Sequence, residues 1–453
     1  MYHTPMTYQT YLAAEDKGRC LLQGVQAYKA SPFFRLGLQA TAYFRGENPA
    51  VAQKTVLRAS KIETTDASGR RRSRTRMRDV VGNRVASGFF ARFVTQQAQY
   101  LLGNGVTIGG EGVKAKLGMD FDLTLARMGE KALLHGVCWG YWNADHVEIV
   151  EAVRDPYSGF FPLIDETGGE TRMGVQFWQL DARAPLCLRV FEPQGVSLWR
   201  EEKGVLLPLE PFRPYRLIRR ESVLGTEMIA EAVKALPLVP FWANEERRSE
   251  LTPAIRSKID CYDRILSDFA DNLDRANDVY WVLNNFGGTV DDIAEVLETI
   301  QKLKAVTSLS DGTGTTATAE PHTISVPYEA RQAALKLLEK SLYQDYMALN
   351  MDEITGGGLT NVAIRAACAN LDLKANRFEW QAYAFVRGLL ALLDADTESV
   401  RFTRQTIADE SEIIRNIQVM RGDIDRVTAL RLNPYLQPEE VEAMVSGREK
   451  RGA

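Results

Sequence analysis

Thr252 to Ala276 reads TPAIRSKIDCYDRILSDFADNLDRA, and its spacing predicts one long amphipathic helix. Ile255, Ile259, Tyr262, Leu266, Phe269, Leu273 and Ala276 are separated alternately by four and three residues. This is an a/d seam, the 3.5-residue period that keeps one stripe of a helix turned toward a partner. Thr252 offers a capping oxygen, and Pro253 brings a first-turn φ that is already helical. The opposite face carries Arg256, Lys258, Asp260, Asp263, Arg264, Asp268, Asp271 and Asp274 and is expected to be a polar, accessible surface. A single helix of this kind would be ordinary inside a monomer, so its neighbours have to decide what it is for.

Downstream, a second long helix is predicted from about Pro327, with Leu335, Leu338, Leu342, Tyr346 and Leu349 as its stripe. Residues 278–326 between the two helices read as a compact insert. VYWVLNNFGG suggests a strand and turn, TVDDIAEVLETIQKLKAV a helix, SLSDGTGTTATAE a mobile loop and PHTISV a second strand. The second helix is followed by TGGGLTN, residues 355–361, and then by a third helix running from Val362 to about Leu393. Ile364, Ala367, Leu371, Phe378 and Phe385 form the apolar side of that third helix. From Thr397 the chain is charged and helical in character.

Upstream, residues 145–245 are β-rich: VQFWQLD, LCLRVFEP, GVSLWR and YRLIRRE are short, aromatic or β-branched, and separated by turn residues. A helix is expected from about Leu123 to His135, followed by a strand with bulky aromatics. Another helix is expected from Asn83, with Val85, Phe89, Phe93, Gln96 and Tyr100 on one face and Gly103 and Gly105 at its end. Residues 1–80 suggest a helix or two. Between Arg70 and Arg78 lie six arginines, a run expected to be a solvated or mobile loop, with contact to nucleic acid or an acidic partner as the alternative. The class is α+β.

Composition excludes several functions. With 453 residues, 45% of them hydrophobic and 25% charged, the chain is of ordinary globular type and long enough for two to four domains. No run of about 18 apolar residues spans a membrane, and the N-terminus lacks a secretory pattern. Five cysteines are far apart without a C-x-x-C, and four histidines are scattered, so neither a disulfide framework nor a metal site is expected. The net charge of −4 argues against tight sequence-independent grip on DNA over the whole molecule.

The three glycines Gly356, Gly357 and Gly358 raise the question of phosphate binding. A P-loop needs Lys and a hydroxyl after its last glycine, but here Leu359, Thr360, Asn361 and Val362 follow. The dinucleotide pattern G-x-G-x-x-G also fails. No G-x-S-x-G elbow presents a nucleophile. Asp291 and Asp292 are adjacent on a helix N-terminal turn, where acids suit the dipole better than a metal. His135 before Gly136 reads as a helix end. No enzyme activity, cofactor or metal is expected.

The order of these parts resembles the portal proteins of tailed double-stranded DNA bacteriophages, in particular those of long-tailed phages. The resemblance rests on NRVASGFFARFVTQQAQYLLG, KALLHGVCWGYWN, LPLVPFWANEERRSELTPAIRSKIDCYDRILSDFADNLDRANDVYWVLNNFGG and GGLTNVAIRAACANLDLKANRFEWQ, in that order over roughly residues 80–395. It implies a portal fold built into a ring, usually of twelve subunits, at one capsid vertex, through which double-stranded DNA is packaged and ejected. By position, residues 1–252 would be the wing, 253–277 a first stem helix, 278–326 the clip and 327–350 a second stem helix. Residues 351–361 would be the tunnel loop, 362–396 a wing-crossing helix and 397–453 a short crown. The implied partners are further copies of itself, passing duplex DNA, the terminase large subunit, a head-completion adaptor, and the major capsid and scaffolding proteins. No membrane is implied, and the location is the virion after assembly in the host cytoplasm. Many relatives have a serine where Thr360 and Asn361 stand here.

Helix dimensions are compatible with such a ring. Twelve helices about 10 Å apart place their axes about 19 Å from the centre and leave a bore of about 28 Å, wide enough for a duplex. Six would leave only about 9 Å. Within this scheme Ile255, Ile259, Tyr262, Leu266, Phe269 and Leu273 are the stem's packing seam. Thr355, Gly356, Gly357, Gly358, Leu359, Thr360 and Asn361 form a loop that must shift as DNA passes. Arg331, Lys336 and Lys340 are candidates for basic rings facing the channel, or else surface charges paired within their own helix. Two other classes stay open: a ring or scaffold component of a capsid or secretion assembly that conducts no DNA, and a monomeric nucleic-acid-binding module centred on Arg70–Arg78.

Overall fold

Four helices open the chain, and each begins beside a side chain that satisfies a free helix amide. They are α1 (Tyr8–Ala13), α2 (Lys17–Ala30), α3 (Pro32–Phe44) and α4 (Pro49–Ala52). Thr7 accepts from the Thr10 amide, Asp16 from Arg19, Ser31 from Phe34 and Asn48 from Ala50, at 2.8–3.2 Å. The computed structural model describes residues 4–65, 71–110, 112–167, 169–210, 212–222, 225–231, 233, 235–276, 280–284, 318–322, 328–351, 361–404, 410–420, 425–431 and 433. They divide into two units. One comprises Met1–Thr41, Phe90–Leu251 and Tyr343–Ala453, the other Ala42–Phe89 and Thr252–Leu342.

The arginine run is not a loop. Arg71–Val81 is a strand, β2, paired antiparallel with β1 (Thr55–Thr65) along eleven partners from Thr55↔Val81 to Thr65↔Arg71. Its R-S-R-T-R-M-R alternation has the two-residue period of a strand, which the charge density concealed. The next helix, α5 (Phe89–Leu102), also departs from expectation. It starts six residues later than Asn83, so Val85 lies outside it; the reason is given below with the helix that residues 83–87 accompany. At its far end Gly103 donates to the Gln99 carbonyl at 2.9 Å and Gly105 adopts φ +73°, which a Cβ would resist.

After β3 (Val106–Ile108), helix α6 (Phe121–His135) ends on Gly136 at φ +93°. Strands then follow closely: β4 (Val137–Asn143), β5 (His146–Glu151), β6 (Val153–Asp155), β7 (Ser158–Ile164), β8 (Thr171–Trp178), β9 (Cys187–Glu192), β10 (Gly195–Glu202), β11 (Val205–Pro208), β12 (Arg213–Pro214), β13 (Leu217–Ser222), β14 (Gly225–Ala230) and β15 (Leu238–Trp242). One seven-stranded sheet has the order β11-β10-β9-β8-β7-β6 with β12 beside β10, and a second has the order β15-β4-β5. All their pairs are antiparallel, as the short connections between successive strands allow; β15 reaches β4 from far along the chain. Tyr28 and Phe34 pack on Phe161 and Phe177 with ring centroids 5.2–6.1 Å apart, and the Tyr28 hydroxyl donates to the Ala152 carbonyl at 3.1 Å. A core built on so many aromatics is what the composition of residues 145–245 dictates.

The C-terminal half supplies α7 (Pro253–Ala276), a short ladder of β16 (Tyr280–Asn284) with β17 (Thr318–His322), α8 (Tyr328–Tyr346) and the long α9 (Asn361–Leu392). The second strand of that ladder is TAEPH, starting earlier than the expected PHTISV. Helix α9 lies against β15 through a stack in which Phe241 faces Phe378 at 5.4 Å and Phe385 at 4.9 Å. A Cβ on Gly140 would sit 2.8 Å from the Phe385 ring, so the strand under the helix needs a glycine there. Lys374 of α9 reaches the end of α8, donating to the Tyr346 carbonyl at 2.9 Å and pairing with Glu250 at 2.9 Å. Beyond α9, β18 (Val400–Phe402) pairs with β3, and α10 (Glu410–Val419) and α11 (Arg426–Arg431) are the last described elements. The sequence predicted only helix there; three-residue strands carry no period to read.

His135 ends its helix as expected but is also fully buried. Its Nε2 lies 3.0 Å from the Thr41 hydroxyl, and Nδ1 has no partner among the described residues. Burial first, then the Lys131 charge, pull its pKa from 6.5 to about 3. On acidification the unfolded chain takes up this proton below about pH 6.5 while the folded one does not, so stability present above 6.5 drains away toward pH 3. The expected loss at this site is about 2 kcal/mol by pH 5. Urea unfolding at pH 7 and pH 5 should show that share vanish in His135→Gln; an unchanged pH slope in the variant would contradict it.

Candidate functional site

Helices α7 and α8 pair antiparallel. Near the start of α7, Lys258 donates to Ser341 near the end of α8 at 2.5 Å; further along, the Phe269 ring meets Tyr328, which begins α8, at 5.5 Å. The predicted seam lies on this helix, yet its burial is graded. Ile255 and Ile259 are buried, Tyr262, Leu266 and Phe269 half-buried, and Leu273 is 49% exposed. Tyr262 packs edge-on to Phe89 at 5.0 Å. On α8, Leu342 and Tyr346 are buried and Leu335 and Leu338 half-buried, while Leu349, also buried, lies past the end of the helix.

The face opposite the seam does not match the expected accessible polar surface. Asp263, Ser267 and Asp271 are buried, four residues apart on one stripe. The stretch 83–87 lies along them. The Ser87 amide donates to Asp263 at 2.9 Å, the Val85 amide to Ser267 at 3.0 Å and the Asn83 amide to Asp271 at 2.7 Å. Ser267 in turn donates to the Val85 carbonyl at 3.3 Å, and Asn83 Nδ2 to Asp274 at 2.7 Å. The match is metric: two residues of extended chain advance about 6.7 Å and four residues of helix about 6 Å. Every second amide of one element therefore meets every fourth side chain of the other. This is why α5 starts late. Residues 83–87 spend their amides on carboxylates and a hydroxyl, not on helix carbonyls.

More ties complete the brace. Asn48 Nδ2 donates to Asp263 at 2.6 Å, the Tyr43 hydroxyl to Asp260 at 2.5 Å, and Lys54 pairs with Asp271 at 2.6 Å and Asp268 at 2.7 Å. Burial raises the pKa of Asp263, outweighing the hydrogen bonds from Asn48 and Ser87. For Asp271 burial also pushes up, but the Asn83 amide and Lys54 prevail and the net direction is down. Sequence reading missed this stripe. Its one local signal is D-x3-S-x3-D on α7, which reads as surface until a second strand of chain is placed on it.

Lys336 and Lys340 are exposed, four residues apart on one face of α8, whereas Arg331 is half-buried. Arg331 lies about 140° around the helix from Lys336. Residues 355–360 of the glycine loop, most of 278–326, and Asp291 and Asp292 lie outside the described residues; Asn361 opens α9. Among the described residues no His, Cys, Asp and Glu cluster could hold a metal ion, and no helix is long and apolar enough to cross a membrane.

Comparison with known proteins follows the same course. The family described as phage portal protein, SPP1 Gp6-like, matches residues 39–451. A portal protein of Clostridium phage phiCD119 is 21% identical over 432 residues, covering 90% of this chain and 91% of that protein. A portal protein of Bacillus phage SPP1 is 29% identical over 223 residues, 46% of this chain and 43% of that one. Among solved structures, the virion of a native gene transfer agent particle aligns over 79% of this chain and 89% of its own with a TM-score of 0.38 and 10% identity.

Proposed function

The chain belongs to the SPP1 Gp6-like phage portal proteins, and from that premise we propose how its helices serve the capsid portal. Several copies, twelve as is usual in this family and compatible with helix dimensions, assemble into a ring at one vertex, and α7 and α8 of each copy line the shared channel for duplex DNA. The loop at 355–361 projects into the bore. Lys336 and Lys340 form spaced basic rings on the channel side, too few to hold the polymer still. Residues 278–326 meet the terminase large subunit during filling and the adaptor afterwards, while the rest of the chain sits against the major capsid and scaffolding proteins. Assembly takes place in the host cytoplasm. The ring performs no catalysis: ATP hydrolysis belongs to the motor, since no Walker A pattern occurs in this sequence.

One observation supports this most. The helix pair leaves Leu273 49%, Tyr328 54% and Leu337 70% exposed. Large apolar side chains on two paired helices call for cover, and a neighbouring copy supplies it. Leu337→Asp is therefore expected to leave the isolated subunit folded within about 0.5 kcal/mol and to prevent rings from forming. Sedimentation velocity and circular dichroism test both halves. Rings forming at the wild-type concentration would count against α8 as an intersubunit surface.

A further inference from the structure

In the unit made of Met1–Thr41, Phe90–Leu251 and Tyr343–Ala453, the elements stack in four layers. Helix α9 lies on one side of the β15-β4-β5 sheet, where Phe241 meets Phe378 and Phe385, and a Cβ on Gly388 would come within 2.6 Å of Val239. The other side of that sheet packs on the seven-stranded one, Trp139 on Phe160 at 5.1 Å and Tyr141 on Phe191 at 4.8 Å. Beyond it, Phe161 and Phe177 carry Tyr28 of α2 and Phe34 of α3, and the Tyr11 hydroxyl of α1 donates to Glu192 at 3.1 Å. Helix α9 and the layer of α1, α2 and α3 therefore form opposite surfaces of this unit.

The outer face of α9 is unlike that of an ordinary surface helix, which turns charges to water. Leu373 is 58%, Trp380 72% and Tyr383 37% exposed, and the charges among them are Arg377 and Arg387. The two acids of the helix, Asp372 and Glu379, lie to the side and are held by Arg404 at 3.1 and 2.6 Å. Trp, Tyr and Arg without Asp, Glu or Lys is the composition of the centre of a protein interface. The opposite surface has the complementary character at one corner. There Leu12 is 56% exposed beside Glu15 and Asp16. The turn carrying Asp165, Glu166 and Glu170 joins this corner through Thr7, which donates to Glu166 at 2.7 Å, and Gln9, which donates to Asp165 at 3.1 Å. Five acids there outnumber Lys17, Arg19 and Arg172, and Lys17 spends its donors on the Tyr11 and Leu12 carbonyls.

We propose that the outer face of α9 around Trp380 is covered by a neighbouring copy, which meets it head to tail with the acidic corner around Leu12. The proposal rests on the ring reading above and adds a second intersubunit surface to it, away from α7 and the exposed side chains of α8. A ring generated by rotation joins two different patches of one chain, and opposite surfaces of one unit, apolar and basic on one side, apolar and acidic on the other, meet that requirement.

Sedimentation of the full-length protein over a concentration series tests this. Trp380→Ser/Arg377→Glu and Leu12→Arg/Glu15→Arg change exposed side chains only, so circular dichroism and melting temperature are expected to stay as in the wild type. Each is expected to raise the concentration at which rings form about 30-fold or more. Mixed in equal amounts, each variant supplies the face the other lacks, and heterodimers with one intact junction are expected where either alone is a monomer. Rings at the wild-type concentration in either variant, or no heterodimer on mixing, would overturn the proposal. Rings lost in Leu337→Asp but kept in Trp380→Ser/Arg377→Glu would overturn it and leave the portal role standing. No rings from the wild type would sink the portal reading and this contact together.

Discussion

Gly357→Pro is expected to assemble into normal rings and to package no DNA. Proline fixes φ near −65° and removes an amide donor, and it drives the preceding residue, Gly356, toward extended conformations. Three contiguous glycines give the chain its widest conformational range just before α9 begins at Asn361. If the loop must change shape as each turn of duplex moves past, stiffening its middle arrests transport without touching a subunit contact. Packaging of DNA into capsids carrying the variant ring measures this, with sedimentation of the purified rings as the control for assembly. Wild-type packaging would show that the loop has no such role. Gly357→Ala, which keeps the amide and more of the backbone freedom, is expected to fall between the two.

Asp263→Ala should release the segment that braces α7. Asp263 is buried and accepts from both Asn48 Nδ2 and the Ser87 amide. Removing it leaves one buried donor, on Asn48, and one half-buried donor, on Ser87, without acceptors, at a cost of about 2–4 kcal/mol. Hydrogen exchange reads the effect where it arises: the amides of Ser87 and Val85 should exchange about a hundredfold faster or more, while amides of the aromatic core around Tyr28 and Phe161 stay protected. Unchanged exchange at Ser87 would mean that the carboxylate does not hold this segment. Substitution of Asp274, exposed and hydrogen-bonded only to the Asn83 side chain among the described residues, is expected to cost less than about 1 kcal/mol.

Periodicity made the long helices legible. The 4-3 spacing on α7, the leucine stripe of α8 and the phenylalanines of α9 each repeat often enough to be read without a structure. The β-rich region was legible from aromatic and β-branched runs between turns. What stayed hidden depended on chain brought from elsewhere. Val85 looked helical because the four-residue step to Phe89 suits a helix; only the Ser267 hydroxyl and the carboxylates beside it on α7 explain why it lies outside α5. Asp263 and Asp271 looked like surface because no local pattern announces a distant amide. The arginine run looked like a loop because charge masked its two-residue alternation. The pairing of β18 with β3 joins short segments distant in sequence, which no local period reveals.

Reconstruction of the purified assembly by electron microscopy tests most directly the claim that α7 and α8 of many copies line one channel. The expected result is a closed ring with an open axial bore of about 28 Å, with α7 and α8 around it and Lys336 and Lys340 reachable from inside. A solid particle, or a lone subunit that packs both helices into its own interior away from any symmetry axis, would contradict it.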